Sequence, residues 1–210
     1  MLIQVASKRL LVSLAFATFL GAYLSFQVQP LVAQWMLPKF GGTAAVWSAT
    51  MLFFQVGLLL GYGYSFALTK YLRVNQQVLI HCGLLGFSCL LLPWGAPSAP
   101  LLPQDATPTV AVLLSLLGVV GVPYVLVTAT APLLQAWGYS FSATNSPYRL
   151  YAVSNLGSLL GLLLYPFLVG PSLNLQQQFL VWSVLFIVFF GVFLALGKYA
   201  KNEGMAGKEP

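Results

Sequence analysis

The sequence predicts an all-α membrane protein whose six transmembrane helices form a 3+3 inverted repeat. Three observations support this prediction: charged residues are scarce, apolar segments of spanning length recur, and related groups of residues recur at nearly constant spacing. Of the 210 residues, 59% are hydrophobic and 6% are charged, whereas a soluble domain carries about 25% charged residues. Because so few charges could not cover a surface in water, we expect the chain to lie in a lipid bilayer.

Six apolar segments are long enough to cross a hydrocarbon core of about 30 Å, which requires roughly 20 helical residues. The first follows Lys8 and Arg9 and resembles a signal peptide, but it continues to Trp35 without a small-residue cleavage site, so we assign it as a helix. Residues 1–210 therefore form one membrane domain. The predicted helices cover residues 10–35, 44–68, 75–95, 109–137, 148–169 and 175–197, and a flexible basic tail covers residues 198–210.

The basic residues predict the orientation of these helices. If all six segments cross the membrane, only Lys39 lies on one side. The other basic residues then lie together: Lys8, Arg9, Lys70, Arg73, Arg149, Lys198, Lys201 and Lys208. Since Lys and Arg are retained in cytoplasmic loops, both termini are expected in the cytoplasm. This topology accounts for the net charge of +6, so we expect no nucleic-acid partner.

Three groups of residues recur in the same order along the chain. Pro30 and Pro132, each followed by Leu, three residues and Trp, are 102 residues apart. The segment QVGLLLG (55–61) matches NLGSLLG (155–161), and QQVLI (76–80) matches QQFLV (177–181). Three crossings per repeat place the second repeat in the opposite orientation to the first. Such a 3+3 unit resembles half of a major facilitator transporter, although a fold analogy alone does not establish transport.

Proline residues are expected to break the two longest helices. Pro30 lies in the first, and Pro123 and Pro132 lie in the fourth. Proline removes a backbone donor, and a membrane tolerates the freed carbonyl only where protein or a cavity satisfies it. Polar side chains near these breaks or within the spans are therefore candidates for a polar pathway or pocket. They are Gln27, Gln29, Gln55, Tyr62, Thr128, Thr130, Gln135 and Asn155.

For two amides and four glycines of the second and fifth predicted helices, the sequence predicts what their side of the helix contacts. Gln55 and Asn155 are expected to face the bundle interior, where they either form structural hydrogen bonds or line a pathway. The glycines allow close approach of helix backbones, and we expect this within the chain, with a dimerisation face as the alternative. They are Gly57, Gly61, Gly157 and Gly161.

The sequence offers little support for catalysis. No Asp or Glu lies in a predicted span, so a carboxylate proton relay is missing. We find no phosphate-binding loop, metal-ligand cluster or nucleophile with an evident base, and we expect no catalytic residue, metal or cofactor. His81 is interpreted as a neutral, hydrogen-bonded imidazole, with a proton role as the alternative. Arg149 is interpreted as an interfacial anchor, which could instead bind an anionic headgroup or a partner's carboxylate.

Two long segments resemble a known family. Residues 26–66, FQVQPLVAQWMLPKFGGTAAVWSATMLFFQVGLLLGYGYSF, are similar to the first two helices of bacterial fused major facilitator/spermidine synthase proteins. TAPLLQAW (130–137) and SPYRLYAVSNLGSLLGLLLYPFLVGPSLNLQQQFLVW (146–182) resemble their fourth helix onward. The Gly-rich and acidic motifs of that family's soluble aminopropyltransferase domain are not present in this sequence. The resemblance therefore implies the membrane module alone, in a bacterial inner membrane.

Three functions follow as expectations. The first is a non-catalytic membrane module that assembles with a partner protein or a larger membrane complex. The second is a small transporter, acting as a homodimer on a neutral, zwitterionic or lipid-like substrate. The third is the membrane half of a split spermidine synthase-like system. A polyamine site within the bundle is unfavourable, because desolvating several positive charges without carboxylates is costly.

Overall fold

The computed structural model describes residues 2–97, 107–141 and 148–202. Within these ranges, six helices are long and apolar enough to span a membrane, which confirms the all-α class and the predicted number of segments. Helix α1 is Leu2–Phe40, α2 is Ala44–Tyr71 and α3 is Val74–Ser88, extended by a 3-10 turn at Cys89–Leu91. Helix α4 comprises Pro108–Leu116, a π-helical turn at Leu117–Gly121, and Val122–Phe141. Helix α5 comprises Tyr148–Leu164, a π-helical turn at Tyr165–Val169, and Gly170–Ser172, and α6 is Leu175–Asn202.

The helix ends follow local signals. Gly41 has a φ of +73° directly after α1, a conformation that glycine adopts without a steric penalty. Thr43 then caps α2, because its side-chain oxygen accepts a hydrogen bond from the backbone N–H of Val46. At the other end of the chain, α6 continues to Asn202, so residues 198–202 of the predicted flexible tail are helical. The rest of that predicted tail, 203–210, lies outside the described residues.

The prediction of helix breaks at the prolines is wrong for two of them. Helix α1 runs without interruption through Pro30, and α4 runs through Pro132. Each proline removes one hydrogen bond, and contacts with neighbouring helices stabilise the rest of each helix. Pro123 is the second residue after the first π-helical turn, whose wider backbone spacing accommodates the missing donor.

Helices α1 and α4 form the centre of the bundle. Helix α1 packs along α5, α2 packs along α4, and α1 and α4 also contact each other. Helix α6 packs against α1 and α3, and its aromatic residues supply much of the core. The fully buried members of this set are Phe179, Trp182, Phe186, Phe189 and Phe193.

Glycines set the distance between α2 and α4. A Cβ atom added to Gly61 would lie 2.9 Å from the carbonyl oxygen of Val125 and 3.0 Å from the backbone nitrogen of Ala129. One turn earlier, a Cβ at Gly57 would lie 2.7 Å from the ring of Tyr124. Both glycines are buried against α4. Their role in the described structure is therefore close packing within the chain.

Glycines have the corresponding role between α5 and α1. A Cβ atom added to Gly161 would lie 2.7 Å from the carbonyl oxygen of Tyr23 and 3.1 Å from the backbone nitrogen of Gln27. A Cβ at Gly157 would overlap the carbonyl oxygen of Phe19. The two interfaces thus bring helix backbones into direct contact, α2 with α4 and α5 with α1.

The first turn of helix α3 contains a glutamine whose side chain forms two hydrogen bonds. Gln77 donates its Nε2 to the carbonyl oxygen of Leu72 at 2.8 Å. Its Oε1 accepts a hydrogen bond from the indole Nε1 of Trp137 at 2.7 Å. The side chain therefore closes the turn before α3 and attaches that turn to α4.

Helix α6 begins in the same way. Gln178 donates its Nε2 to the carbonyl oxygen of Leu173 at 2.8 Å, and its Oε1 accepts from the Tyr165 hydroxyl at 2.7 Å. The same hydroxyl also contacts the Gln34 amide. The Gln34 atom in this contact is Oε1, so the single phenol proton of Tyr165 is shared between two amide oxygens and is donated to one of them at a time. This network joins α1, α5 and α6.

Candidate functional site

A cleft lies between α1, α2, α4 and α5. Its cavity volume is about 250 Å³, and it is partly open to the surroundings. Eight polar side chains contribute to its wall, an unusual number for the interior face of membrane-spanning helices. They are Ser25, Tyr62, Thr128, Gln135, Tyr151, Ser154, Asn155 and Ser158. The other lining residues are Ala22, Phe26, Leu58, Val127, Ala131 and Pro132.

The cleft occupies one half of the bundle. Its lining residues in α2, α4 and α5 lie toward Tyr71, Phe141 and Tyr148, which are helix ends on the same side of the bundle as the two chain termini. Its lining residues in α1 lie at 22–26, near the middle of that helix's membrane span. The cleft therefore extends from the side of the termini to about the middle of the membrane.

Half of the predicted polar residues meet in this cleft. Tyr62, Thr128, Gln135 and Asn155 come from three different helices and line the same space. Thr128 is buried, whereas Tyr62 and Asn155 are exposed on the side of the bundle. The amide of Asn155 therefore belongs to the cleft wall and not to the packed bundle interior.

The other predicted polar residues lie elsewhere. Gln55 is exposed on α2 and does not line the cleft, so the prediction that it faces the bundle interior is wrong. Its neighbour Phe54 occupies the buried side of α2, and one residue of helix rotates a side chain by about 100°. Gln27 is 1% exposed at the contact with α5, and its Oε1 has no partner among the described residues. Gln29 donates to the carbonyl oxygen of Ser25 at 3.3 Å.

Thr130 belongs to a separate buried network around His81. The Nε2 of His81 lies 2.8 Å from Oγ1 of Thr130, and its Nδ1 lies 3.3 Å from the hydroxyl of Tyr64. Thr130 donates its one proton to the carbonyl oxygen of Leu126 at 2.9 Å. The imidazole Nε2 must then donate to Thr130, which leaves Nδ1 to accept from Tyr64. This arrangement suits a neutral imidazole that connects α2, α3 and α4.

The hydroxyl groups of the cleft present oxygen lone pairs. Ser25, Thr128 and Ser158 donate their protons to backbone carbonyls one turn earlier in their own helices, at 2.8, 2.9 and 3.1 Å. A hydroxyl oxygen that has used its proton can still accept hydrogen bonds or coordinate a cation. The wall of the cleft is therefore rich in acceptors.

Several cleft residues were not among the predicted site residues. Tyr151, Ser154 and Ser158 were missed, although they follow one another at intervals of three and four residues around Asn155. That spacing places side chains on one face of a helix, so a polar stripe on α5 was the available signal. Ser25 has no comparable signal, because the residues that flank it in α1 are mainly apolar.

The described residues hold no group of three or more His, Cys, Asp or Glu side chains that could bind a metal ion. None of the residues that line the cleft is Lys, Arg, His, Asp or Glu. The lining of the cleft is thus neutral and carries hydroxyl and amide groups. Comparisons of the chain with protein-family models, curated proteins and solved structures find no significant match.

Proposed function

We propose that this chain is a non-catalytic, polytopic inner-membrane module that assembles with a partner protein through the face that carries the cleft. The observation that carries this proposal is the exposure of polar groups within membrane spans. On the cleft wall, Asn155 is an exposed amide, and Tyr62 is 51% exposed. Lipid tails offer such groups no hydrogen bonds. A polytopic partner, or a second copy of the chain, supplies these bonds and closes the cleft.

The module is built as a 3+3 inverted repeat, in the manner of half a major facilitator transporter. The glycine contacts support this arrangement. The backbone atoms that Gly61 meets in α4 and those that Gly161 meets in α1 are 102 residues apart, which is also the spacing between Pro30 and Pro132. The pairing of α2 with α4 corresponds to that of α5 with α1 under this relationship.

The starts of α3 and α6 support the same relationship. Gln77 and Gln178 are 101 residues apart, and each donates to the carbonyl oxygen five residues earlier at 2.8 Å. Equivalent side chains thus have equivalent backbone partners at two positions of the bundle. Since each repeat crosses the membrane three times, the two repeats have opposite orientations.

The membrane orientation is part of the proposal. The basic residues at the ends of α2 and α6 favour cytoplasmic termini in a bacterial inner membrane. The cleft, which lies in the half of the bundle nearest the termini, then occupies the cytoplasmic half of the membrane. The cleft is then accessible to a cytoplasmic partner and also to a partner embedded in the membrane.

Site-specific photocross-linking in cells tests the proposed docking face. A photoreactive p-benzoylphenylalanine replaces Tyr62 on the cleft face, and in a matched variant it replaces Leu79, which is 74% exposed on α3. We expect a discrete protein adduct from position 62 and none from position 79. Mass spectrometry of the adduct then identifies a second copy of the chain or a different protein.

Equal adducts from both positions would contradict the proposal, because they would indicate random collisions in the membrane. A lone monomer after purification in mild detergent, together with no adduct from position 62, would also contradict it. Both variants must be present in the membrane at equal amounts, which is checked by immunoblotting.

The neutral polar lining favours a second candidate, a homodimeric transporter of a neutral or zwitterionic molecule. In this case the cleft of each copy forms part of a pathway between two six-helix units. The third expectation, a split spermidine synthase-like system, depends on a separate soluble enzyme and stays a prediction. A homodimeric adduct from position 62 favours the transporter, and an adduct with a soluble enzyme favours the split system.

A further inference from the structure

Two prolines remove hydrogen-bond donors beside the cleft. Pro30 and Pro132 have no N–H group, so the carbonyls of Phe26 and Thr128 lack the partner that an α-helix supplies four residues later. Phe26, Thr128 and Pro132 all line the cleft. A backbone carbonyl without a partner is costly inside a membrane. A ligand in the cleft that binds oxygen atoms would therefore be stabilised by both carbonyls.

The hydroxyl oxygens add to these carbonyls. Ser25 directly precedes Phe26, and Thr128 supplies both a freed carbonyl and a hydroxyl. Ser158 faces the same space from α5. Because all three hydroxyls already donate to their own helices, what they offer to the cleft is lone pairs. The freed carbonyls and the hydroxyls thus belong to residues that line one cleft, which reaches about the middle of the membrane.

The chemistry of this set selects a class of ligand. The lining residues include no Lys, Arg or His, so the cleft offers no positive charge to bind an anion. Divalent Ca²⁺ and Mg²⁺ are usually held by carboxylates, and none of the lining residues is Asp or Glu. A single positive charge requires less compensation, and carbonyl and hydroxyl oxygens replace its hydration shell. Transporters coordinate Na⁺ through helix carbonyls that have lost their partners.

We propose that the cleft is a binding site for a monovalent cation, held by the carbonyl oxygens of Phe26 and Thr128 and the hydroxyl oxygens of Ser25, Thr128 and Ser158. Two sources share this chemistry: an alkali metal ion, and the protonated amine of a small molecule. Asn155 and Gln135 stand in the same cleft and can contact the rest of an organic ligand. The site goes beyond the assembly role and does not depend on it.

Thermal unfolding of the full chain in phosphatidylcholine nanodiscs tests the site. Unfolding is followed by tryptophan fluorescence in NaCl, KCl or methylammonium chloride, at an ionic strength held constant with tetramethylammonium chloride. Tetramethylammonium is the reference because it has no N–H donor and is too large for close coordination by oxygen atoms. We expect a saturable rise in unfolding temperature with at least one of the three test cations, since a ligand that binds only the folded state stabilises it.

Three variants assign the effect to the cleft. Pro132→Ala restores a donor for the Thr128 carbonyl and should weaken the apparent cation affinity about tenfold, a loss of about 1.4 kcal/mol in binding free energy. Alanine also favours the helix, so this variant is expected to fold. Ser158→Ala removes a hydroxyl oxygen and should weaken affinity in the same direction. Pro38→Ala is the matched control, because the carbonyl it affects, that of Gln34, does not line the cleft.

The outcomes are distinct. A saturable shift with Na⁺ or K⁺ alone, weakened by Pro132→Ala or Ser158→Ala but not by Pro38→Ala, supports an alkali ion. The same pattern with methylammonium supports an amine headgroup. The proposal is overturned by the absence of any shift beyond that in tetramethylammonium, by a shift that both cleft variants retain in full, or by one that Pro38→Ala weakens equally. Since the measurement uses the isolated chain, its failure leaves the proposed partner face untouched.

Discussion

The Nε2 atom of His81 in α3 lies 2.8 Å from Oγ1 of Thr130 in α4, inside the packed bundle. Both residues are fully buried. The contact joins the third helix to the fourth, two helices that otherwise meet over a short length. Because the Thr130 hydroxyl donates its hydrogen bond to the carbonyl oxygen of Leu126, the imidazole is the donor in its contact with Thr130. The hydroxyl of Thr130 therefore supplies the hydrogen-bond acceptor for the Nε2–H group of His81.

Thr130→Val keeps the shape of this side chain but removes the acceptor of the His81 N–H. We expect it to lower the free energy of unfolding by roughly 1–2 kcal/mol, because a buried donor is left without a partner. Thr130→Ser retains the hydroxyl and is the control. Reversible unfolding of both variants in mixed detergent and dodecyl sulfate micelles measures the difference. Equal stability of the Val variant and the wild type would show that the contact contributes nothing.

Gly61→Ala introduces a Cβ where the backbone of α4 already lies 2.9 Å away. We expect it to destabilise the bundle by roughly 1–3 kcal/mol, since α2 and α4 must separate to make room. Gly63→Ala, two residues along the same helix, meets nothing within 4 Å. That control should be neutral or stabilising by up to about 1 kcal/mol, because alanine is the better helix former. The same micelle unfolding assay compares them, and equal losses in both would contradict close packing at Gly61.

Tyr165→Phe removes the hydroxyl that joins Gln178 to Gln34. We expect a loss of roughly 1–2 kcal/mol in the free energy of unfolding, because two side-chain amides lose a common partner. Tyr62→Phe is the matched control: it removes the same hydroxyl from an exposed position on the cleft wall. If both variants lose the same stability, the Tyr165 network does not hold the helices together.

Ser158→Cys should report that water enters the cleft. In a background with Cys82→Ala and Cys89→Ala, we expect rapid labelling of position 158 by a charged methanethiosulfonate reagent, because the reaction requires a thiolate in water. Leu163→Cys is the control, since Leu163 is 47% exposed on the same helix but outside the cleft. The labelling rate at each position is measured by mass spectrometry in nanodiscs. Equally slow labelling at both positions would mean that the cleft is dry.

The number and approximate bounds of the six spans could be predicted because they depend on local properties of the chain. Helices α2, α3, α5 and α6 begin within one residue of their predicted starts at 44, 75, 148 and 175. The candidate site was predicted less well. Tyr62, Thr128, Gln135 and Asn155 do share a cleft, whereas Gln55 is exposed elsewhere and Thr130 belongs to the His81 network. The sequence identifies the polar residues of a span, but it does not show which neighbouring residues each of them contacts.

The sequence by itself determined the number and approximate bounds of the membrane helices, because length and hydrophobicity of a segment decide whether it can span a bilayer. It also determined where backbone donors are missing, since this follows from proline chemistry alone. Only the tertiary structure decided that Phe26 and Thr128 line one cleft, and that Asn155 lines it while Gln55 does not. A helix turns by about 100° per residue, so the direction of a side chain depends on how each helix is rotated. That rotation is set by contacts such as Gly61 on α4 and Gly161 on α1, which join residues far apart in the chain.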